Sequence, residues 1–463
     1  MRPSTPLSTT LPPLIMGTAT FNSQYNADPY ALPTTELVHR ALSHGIRAFD
    51  TSPYYGPAED LLGAALSSPK ISTSHPRNTY HLLTKVGRVA SSSFDYSPPW
   101  LRASVRRSLS RLHTTYLDVV YCHDVEFVSP TEVLTAVREL RHMRDEGLIR
   151  YVGISGYPVD TLSSLAEMIL RETGEPLDIV MSYANFTLQN TRLATTALPR
   201  LLAAGVDVVP NASPLGMGLL RRDGVPIGSM GDFHPAPDAL RAAVRDAASL
   251  ADVRGEKLEV VAIRFALESW LRDGAAVGGL GAPVARGVDS DPGFISVKSV
   301  GAGRRLGVSV MGVSNVAELD ETLRVWNSIV EGLENCEDGD GEFESKGAST
   351  PTALTEVVGG AAPSASNILT PSEGLITDRA WSRTRRANIL QLAAEIRQVI
   401  GEEWVDYVWA SPDADFKNSL SEEHLALVKR LGVEGEVVHA SADDTTLDEG
   451  MLTPPLDVER QLE

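Results

Sequence analysis

The sequence predicts an α/β fold, a (β/α)8 TIM barrel with an accessory C-terminal helix and disordered insertions, and three observations carry that expectation. From residue 11 to residue 331, eight short apolar runs alternate with amphipathic helical stretches, the pattern of parallel strands joined by crossover helices. Three early runs end on residues suited to chemistry, Asp50, Lys85 and His123. In such a barrel the C-terminal ends of all strands open on one face. No Gly-rich dinucleotide fingerprint follows the first run, which disfavours an open doubly wound sheet.

Leu14 to Thr18 reads as the first strand, and a polar loop follows it through Pro29. Thr34 is the expected N-cap of a helix over Glu36 to Ser43, with Gly45 as its stop. The run Ile46 to Phe49 delivers Asp50, and Ala58 to Leu66 makes a short helix behind it. Next come a Ser/Pro/Asn-rich connection, the strand His81 to Thr84 closed by Lys85, and a second polar loop. Ser97-Pro98-Pro99 is a cap followed by prolines suited to a first helical turn, and Leu101, Val105, Leu109 and Leu112 recur behind it at helical spacing. Leu117 to Cys122 is the fourth strand, closed by His123, and Gly147 stops the helix Thr131 to Glu146. Ile149 to Ile154, Asp178 to Ser182, Val206 to Val209 and Gly307 to Gly312 read as strands five to eight. Further helices are expected at Val159 to Leu170, Thr191 to Ala204, Ala239 to Leu250, Leu258 to Leu271 and Val316 to Glu331.

Outside that alternation the composition changes. Residues 1–10 are Ser/Thr/Pro-rich and read as a flexible N-terminus without the apolar run of a signal peptide. Residues 278–305 are Gly-rich and read as a loop inserted before the last strand, while 335–378 have the acidic, Gly/Ser/Pro-rich composition of a disordered linker. Within 383–412, Ile389, Leu392, Ala393, Ile396 and Ile400 form an apolar helical stripe, followed by Trp404, Tyr407 and Trp409. That segment is expected to pack back on the barrel, and 413–463 to form a mostly disordered tail.

The 463-residue chain is 43% hydrophobic, ordinary for a globular core. Its formal charge of −19 argues against non-specific nucleic-acid binding, which sets Lys and Arg against phosphates. Cys122 and Cys336 are the only cysteines, which leaves no disulfide framework and points to a reducing, cytoplasmic setting. No stretch is long and apolar enough to span a membrane, and no protein partner is legible.

The motif Phe49-Asp50-Thr51-Ser52-Pro53-Tyr54-Tyr55-Gly56 sets an Asp, a rigid turn and a Tyr at a strand's end. Asp50, Tyr55, Lys85 and His123 fall where the aldo-keto reductase superfamily carries its Asp-Tyr-Lys-His tetrad, and the sequence resembles that superfamily over 11–331 and, less strongly, 383–415. More narrowly, Phe49 to Gly56, Cys122 to Phe127 and Asn211 to Leu220 resemble the branch of L-galactose dehydrogenases and fungal NAD-dependent D-arabinose dehydrogenases. The resemblance implies oxidation of an aldose at C1 to its lactone with NAD, toward an ascorbate-type antioxidant. Two rivals are an NADPH-dependent aldehyde reductase and a nucleotide-binding regulatory barrel with little catalysis.

The residues themselves permit that chemistry. A Tyr is a poor base at neutral pH, and a neighbouring Lys ammonium favours its phenolate. Asp50 would orient Lys85, His123 would hydrogen-bond the substrate oxygen, and Tyr55 would move the proton. Each has a plainer reading, as turn former, solvated strand end or structural His, and their joint placement favours catalysis. Tyr54 stands beside Tyr55 as a decoy and as a pocket wall. Trp100 is either a pocket wall or a surface aromatic. Cys122 reads as packing, and the His/Asp/Glu group near it lacks paired ligands, so no metal is expected.

Cofactor contacts follow from the resemblance at Gly17, Thr18, Ser155 and Ser182. Gly156 stands where the family usually has Asn after that Ser, and Ala212 where it commonly has a stacking aromatic. Ser213, Leu215 and Gly216 would offer backbone N–H groups and a hydroxyl to a pyrophosphate, with an ordinary Pro/Gly loop as the alternative. After strand eight, Ser314 and Glu318 occupy a run in which NADPH-preferring relatives carry Lys and Arg. A carboxylate there repels a 2′-phosphate and accepts from a ribose diol, so NAD is expected. The alternative for Glu318 is a helix cap.

Overall fold

The computed structural model describes residues 5–225, 231–280, 305–331 and 379–435. Eight parallel strands close into a barrel in chain order: β1 (Leu14–Gly17), β2 (Ala48–Asp50), β3 (His81–Val86), β4 (Leu117–His123), β5 (Ile149–Gly156), β6 (Ile179–Tyr183), β7 (Asn211–Ala212) and β8 (Ser309–Gly312). β8 returns to β1 with Gly17 opposite Gly312, and β2 pairs with β1 with Asp50 opposite Gly17.

Period-two alternation decides what each strand presents. Phe49, Leu82, Val120 and Cys122 pack outward against the helices, whereas Ala48, Leu83, Val119 and Tyr121 fill the barrel. Two residues beyond Ala48, Leu83 and Tyr121 come Asp50, Lys85 and His123, so one parity rule turns all three into the barrel mouth.

The expected helices form within a few residues of their spans at Thr34–Ser43, Ala58–Ser67, Pro98–Arg111, Pro130–Asp145, Val159–Thr173, Asp238–Val253, Leu258–Asp273 and Val316–Glu331. Four local expectations are corrected. Thr34 is the first helical residue, and Pro33 takes the cap position. In Val206 to Val209 the three valines are buried, but the run largely precedes the seventh strand, which begins only after Pro210, a residue with no N–H for the ladder. The helix expected over Thr191 to Ala204 is a wide π turn, Leu193–Ala197, running into Leu198–Ala203, and Pro199 removes the hydrogen bond that would have kept it regular. The polar loop after Lys85 contains a hairpin, Arg88–Ala90 with Ser93–Phe94.

Both flanks of the barrel also hold more structure than composition suggested. Leu7 and Leu11 are buried against the barrel's interior residues, Ser8 N–H donates to Asp207 at 2.9 Å, and Tyr151 donates to the Thr5 carbonyl at 2.8 Å. The described part of the N-terminus thus plugs the end of the barrel remote from the mouth. The helix Arg379–Ile400 seats Ile389, Leu392, Ala393, Ile396 and Ile400 on Asp238–Val253 and Leu258–Asp273, as its apolar stripe predicts. Residues 413–435, expected within a disordered tail, instead run along the barrel and end in a helix, Glu422–Gly435, against Pro98–Arg111. Hydrogen bonds and single rings hold this segment, a mode that apolar density does not register. The 335–378 linker, residues 281–304 of the insertion, 1–4 and 436–463 lie outside the described residues. Among the described residues no helix is long and apolar enough to cross a membrane.

Ile396 is fully buried in that helical interface and Leu390 is 40% exposed on the same helix. Ile396→Ala is expected to cost about 2–5 kcal/mol, and Leu390→Ala less than about 0.5, in urea unfolding. Equal losses would show that the helix does not seal the barrel.

Candidate active site

Lys85 and Asp50 meet at the floor of the mouth. The ammonium donates to Asp50 Oδ1 at 2.6 Å and to the Thr51 carbonyl at 2.8 Å, with both side chains almost wholly buried. Burial raises the Asp50 pKa, and Lys85 opposes that rise with its charge and its hydrogen bond. The Lys85 nitrogen also lies 4.8 Å from the centre of the Tyr55 ring. Tyr55 in turn meets the His123 ring edge-on at 5.8 Å, and Tyr54 meets it at 6.0 Å. The four residues singled out from three strand ends therefore converge.

The state of His123 follows from its partners. Burial drives its pKa down to about 3, so the ring is neutral at pH 7. Ser52 Oγ sits 3.1 Å from Nδ1 and itself accepts the Tyr54 N–H at 3.1 Å. Nε2 faces the Asp124 carboxylate at 3.7 Å. A nearby anion favours the proton on Nε2, which leaves Nδ1 to accept from the Ser52 hydroxyl. The network thus assigns Nε2–H as a donor at the mouth. Tyr96 fixes the backbone as well, donating to the His123 carbonyl at 2.6 Å.

One electrostatic expectation is corrected. A neighbouring ammonium favours the phenolate, yet the Tyr55 phenol is held well above the ordinary tyrosine value. Burial is the main cause; the Asp50 and Asp124 carboxylates add to it, and Arg88 opposes them. Asp50 compensates the Lys85 charge at short range, so the phenol keeps its proton at neutral pH.

Further residues complete the wall, among them Gly87 and Arg88, which carry no motif in the sequence. Gly87, at φ +99°, lies where a Cβ would strike the Tyr96 ring at 2.1 Å; Arg88, the next residue, crosses the Tyr54 ring at 3.9 Å and pairs with Asp124. Gly156, the departure from the family pattern, has a plain cause: a Cβ there would meet Glu126 Oε2 at 2.2 Å. Glu126 accepts from the Tyr157 N–H at 2.9 Å and from the Ser411 hydroxyl at 3.1 Å. The C-terminal segment continues along this rim, with Trp409 stacked on Tyr157 at 4.6 Å, Phe416 against Phe127 at 4.8 Å and His424 on Asp95 at 2.7 Å. Of these, Gly156 stands out in the sequence as a departure from the family pattern and Trp409 as part of the segment expected on the barrel.

The remaining predicted residues divide. Gly17 and Ser155 share the inward parity, and Ser155 stands opposite His123. Ser213 follows β7 at φ +56°, and its carbonyl accepts the Gly216 N–H at 2.8 Å, with Leu215 between them. The other four polar side chains have local duties. Thr18 is fully buried and donates to the Asp50 carbonyl at 3.1 Å. Ser182 has the outward parity and donates to the Tyr157 carbonyl at 3.3 Å, so the structure does not bring it to the mouth. Glu318 accepts the Ser314 N–H at 2.7 Å while Asn315 accepts the Glu318 N–H at 2.9 Å, the helix-capping alternative; the Ser314 hydroxyl accepts from Asn26. Trp100 is buried against His424 at 4.5 Å, under the C-terminal helix, and has no tetrad partner.

Burial, with the Asp124 carboxylate adding to it, raises the Glu126 pKa to about 8. A carboxyl with a raised folded-state pKa stabilises the fold below its unfolded value, and that stability is lost as pH rises through the folded value. Stability of the parent chain is therefore expected to fall relative to Glu126→Gln between about pH 5 and 8. Thermal melts of both that run parallel across this window would refute it.

The family model for the aldo/keto reductase family matches residues 13–331. The chain is similar to a D-arabinose 1-dehydrogenase of Saccharomyces cerevisiae, 43% identical over 270 residues that make up 58% of this chain and 78% of the relative. It is also similar to an L-galactose dehydrogenase of Arabidopsis thaliana, at 34% over 50% of this chain and 68% of the relative. A D-threo-aldose 1-dehydrogenase of a Pseudomonas species is 27% identical, over 52% and 78%. With the match spanning the whole barrel and its mouth, the chain belongs to the aldo/keto reductase family.

Proposed function

We propose that this chain is an NAD-dependent aldose 1-dehydrogenase that oxidises D-arabinose or L-galactose at C1 to its aldono-lactone, within synthesis of an ascorbate-type antioxidant. The names of the similar proteins support the substrate class. The observation that carries the chemistry is the convergence of the Tyr55 phenol and the neutral His123 Nε2–H above the buried Lys85–Asp50 pair.

Family membership implies a nicotinamide cofactor, which supplies the hydride acceptor when bound. The mouth fits such a group. Asp50 Oδ2 is buried without a hydrogen-bond partner beside side-chain-free Gly17, an acceptor suited to a ribose hydroxyl. Ser155 and the turn Ser213, Leu215 and Gly216 are the further residues that would hold it. The preference for NAD rests on composition: Gly312 to Glu318 contains no Lys or Arg for a 2′-phosphate, although the Glu318 carboxylate itself is engaged in capping its helix.

His123 Nε2–H orients the oxygen on C1, and Tyr55 takes its proton as C1 is oxidised. Because Tyr55 starts protonated, oxidation must wait for that proton to leave. One observation favours the reverse reading, an NADPH-dependent aldehyde reductase: a protonated Tyr55 is already the general acid that carbonyl reduction needs.

The test is absorbance of the reduced nicotinamide with D-arabinose and L-galactose, each against NAD and NADP, beside Tyr55→Phe. Sugar oxidation with NAD is expected, at least about 10²-fold slower in the variant, with kcat climbing through the alkaline range. Aldehyde reduction with NADPH and no sugar oxidation would replace this reading with the reductase. Tightly held nucleotide without turnover would indicate a regulatory barrel.

A further inference from the structure

Asp124 has no part in the tetrad, yet its backbone and its side chain are both tightly held. It follows His123 directly and adopts φ 55°, ψ 60°, a left-handed conformation that side-chain-bearing residues rarely take. That conformation returns its carboxylate toward the ring of its neighbour, with Oδ2 3.7 Å from His123 Nε2. Arg88 NH1 pairs with the same oxygen, and the guanidinium lies over Tyr54 while its other nitrogens donate to the Ala90 and Ser91 carbonyls. Arg88 is thus fully engaged and holds the carboxylate in place. Burial works against charge on Asp124, and the Arg88 guanidinium, by its charge and its hydrogen bond, opposes that and holds the carboxyl below the usual carboxylate range.

Oδ1 is left over. No hydrogen bond reaches it among the described residues, although the side chain is only 2% exposed. An ionised carboxylate with an unused oxygen next to the donor that grips the reacting oxygen is an acceptor in search of a second hydroxyl. On a sugar, the oxygens on C1 and C2 lie about one hydrogen-bond length apart, so one can face Nε2–H while its neighbour faces the carboxylate.

We propose that Asp124, held by Arg88, accepts a hydrogen bond from the C2 hydroxyl of the aldose and so selects sugars over simple alcohols and aldehydes. This rests on the aldose reading above. Tyr55 and His123 suffice to grip any C–OH group; Asp124 adds the demand for a hydroxyl on the adjacent carbon. Arg88 is a positioning residue in this scheme, and Asp124 a specificity residue.

The experiment compares kcat/KM for D-arabinose and for 2-deoxy-D-ribose, the pentose that differs from it only in lacking the C2 hydroxyl. Parent chain and Asp124→Asn are measured with the same cofactor. Asn is chosen because it tolerates the left-handed backbone and keeps the side chain's shape. The parent is expected to favour D-arabinose by about ten- to hundredfold or more. In Asp124→Asn that ratio should shrink about tenfold, through a larger loss with D-arabinose. Equal losses with both sugars would make Asp124 only a support for His123 and overturn the proposal. A parent that oxidises both sugars equally would overturn it with no variant needed. Absence of turnover with every aldose would instead sink the aldose reading, and this inference with it.

Discussion

The buried ion pair between Lys85 and Asp50 is the interaction on which the mouth is built. Two charges lie at the inner end of neighbouring strands, out of water, and each is tolerable only because the other stands 2.6 Å away. Removing one partner of such a pair costs about 3–5 kcal/mol, since the survivor is stranded. The Thr51 carbonyl and the Thr18 hydroxyl and N–H secure the same strand end from either side. Tyr55 packs over the ammonium, and His123 packs over Tyr55. Geometry flows outward from the pair.

Burial is the main reason Tyr55 keeps its proton, and the same pair adds to it. A lysine paired this closely has little field left to lend to a phenol across its ring, and buried carboxylates act in the opposite sense. The Tyr55 phenol therefore stands at the mouth with its proton in place. His123 complements it as a neutral ring whose Nε2–H is set by Ser52 on one side and Asp124 on the other.

Above this floor the C-terminal segment turns an open barrel face into a walled one. It leaves the helix Arg379–Ile400 and engages Gln189 and Thr191 after β6, Tyr157 after β5, Glu126 after β4 and Phe94 in the hairpin after β3. Successive strands thus lend their loops to one distant stretch of chain. Trp100 illustrates the consequence, for the helix Glu422–Gly435 covers it and it serves that interface.

The sequence by itself determined the barrel, its strand order and the meeting of Asp50, Tyr55, Lys85 and His123 at one end of it, because these depend on local rules. Alternation with period two sets which side chains turn inward, and strand ends in a closed parallel barrel share a face. The helices and the apolar stripe of Ile389 to Ile400 were legible for the same reason. What only the tertiary structure decided lies in contacts between segments far apart in the chain. Arg88 reaches Asp124 across 36 positions, and Ser411 reaches Glu126 across 285. Gly156 looked like a simple departure from a family pattern until the Glu126 carboxyl was found beside it. The direction of the Tyr55 shift belonged to this class too. A pKa sums burial and every nearby charge, and no spacing along a chain states how those lie in space.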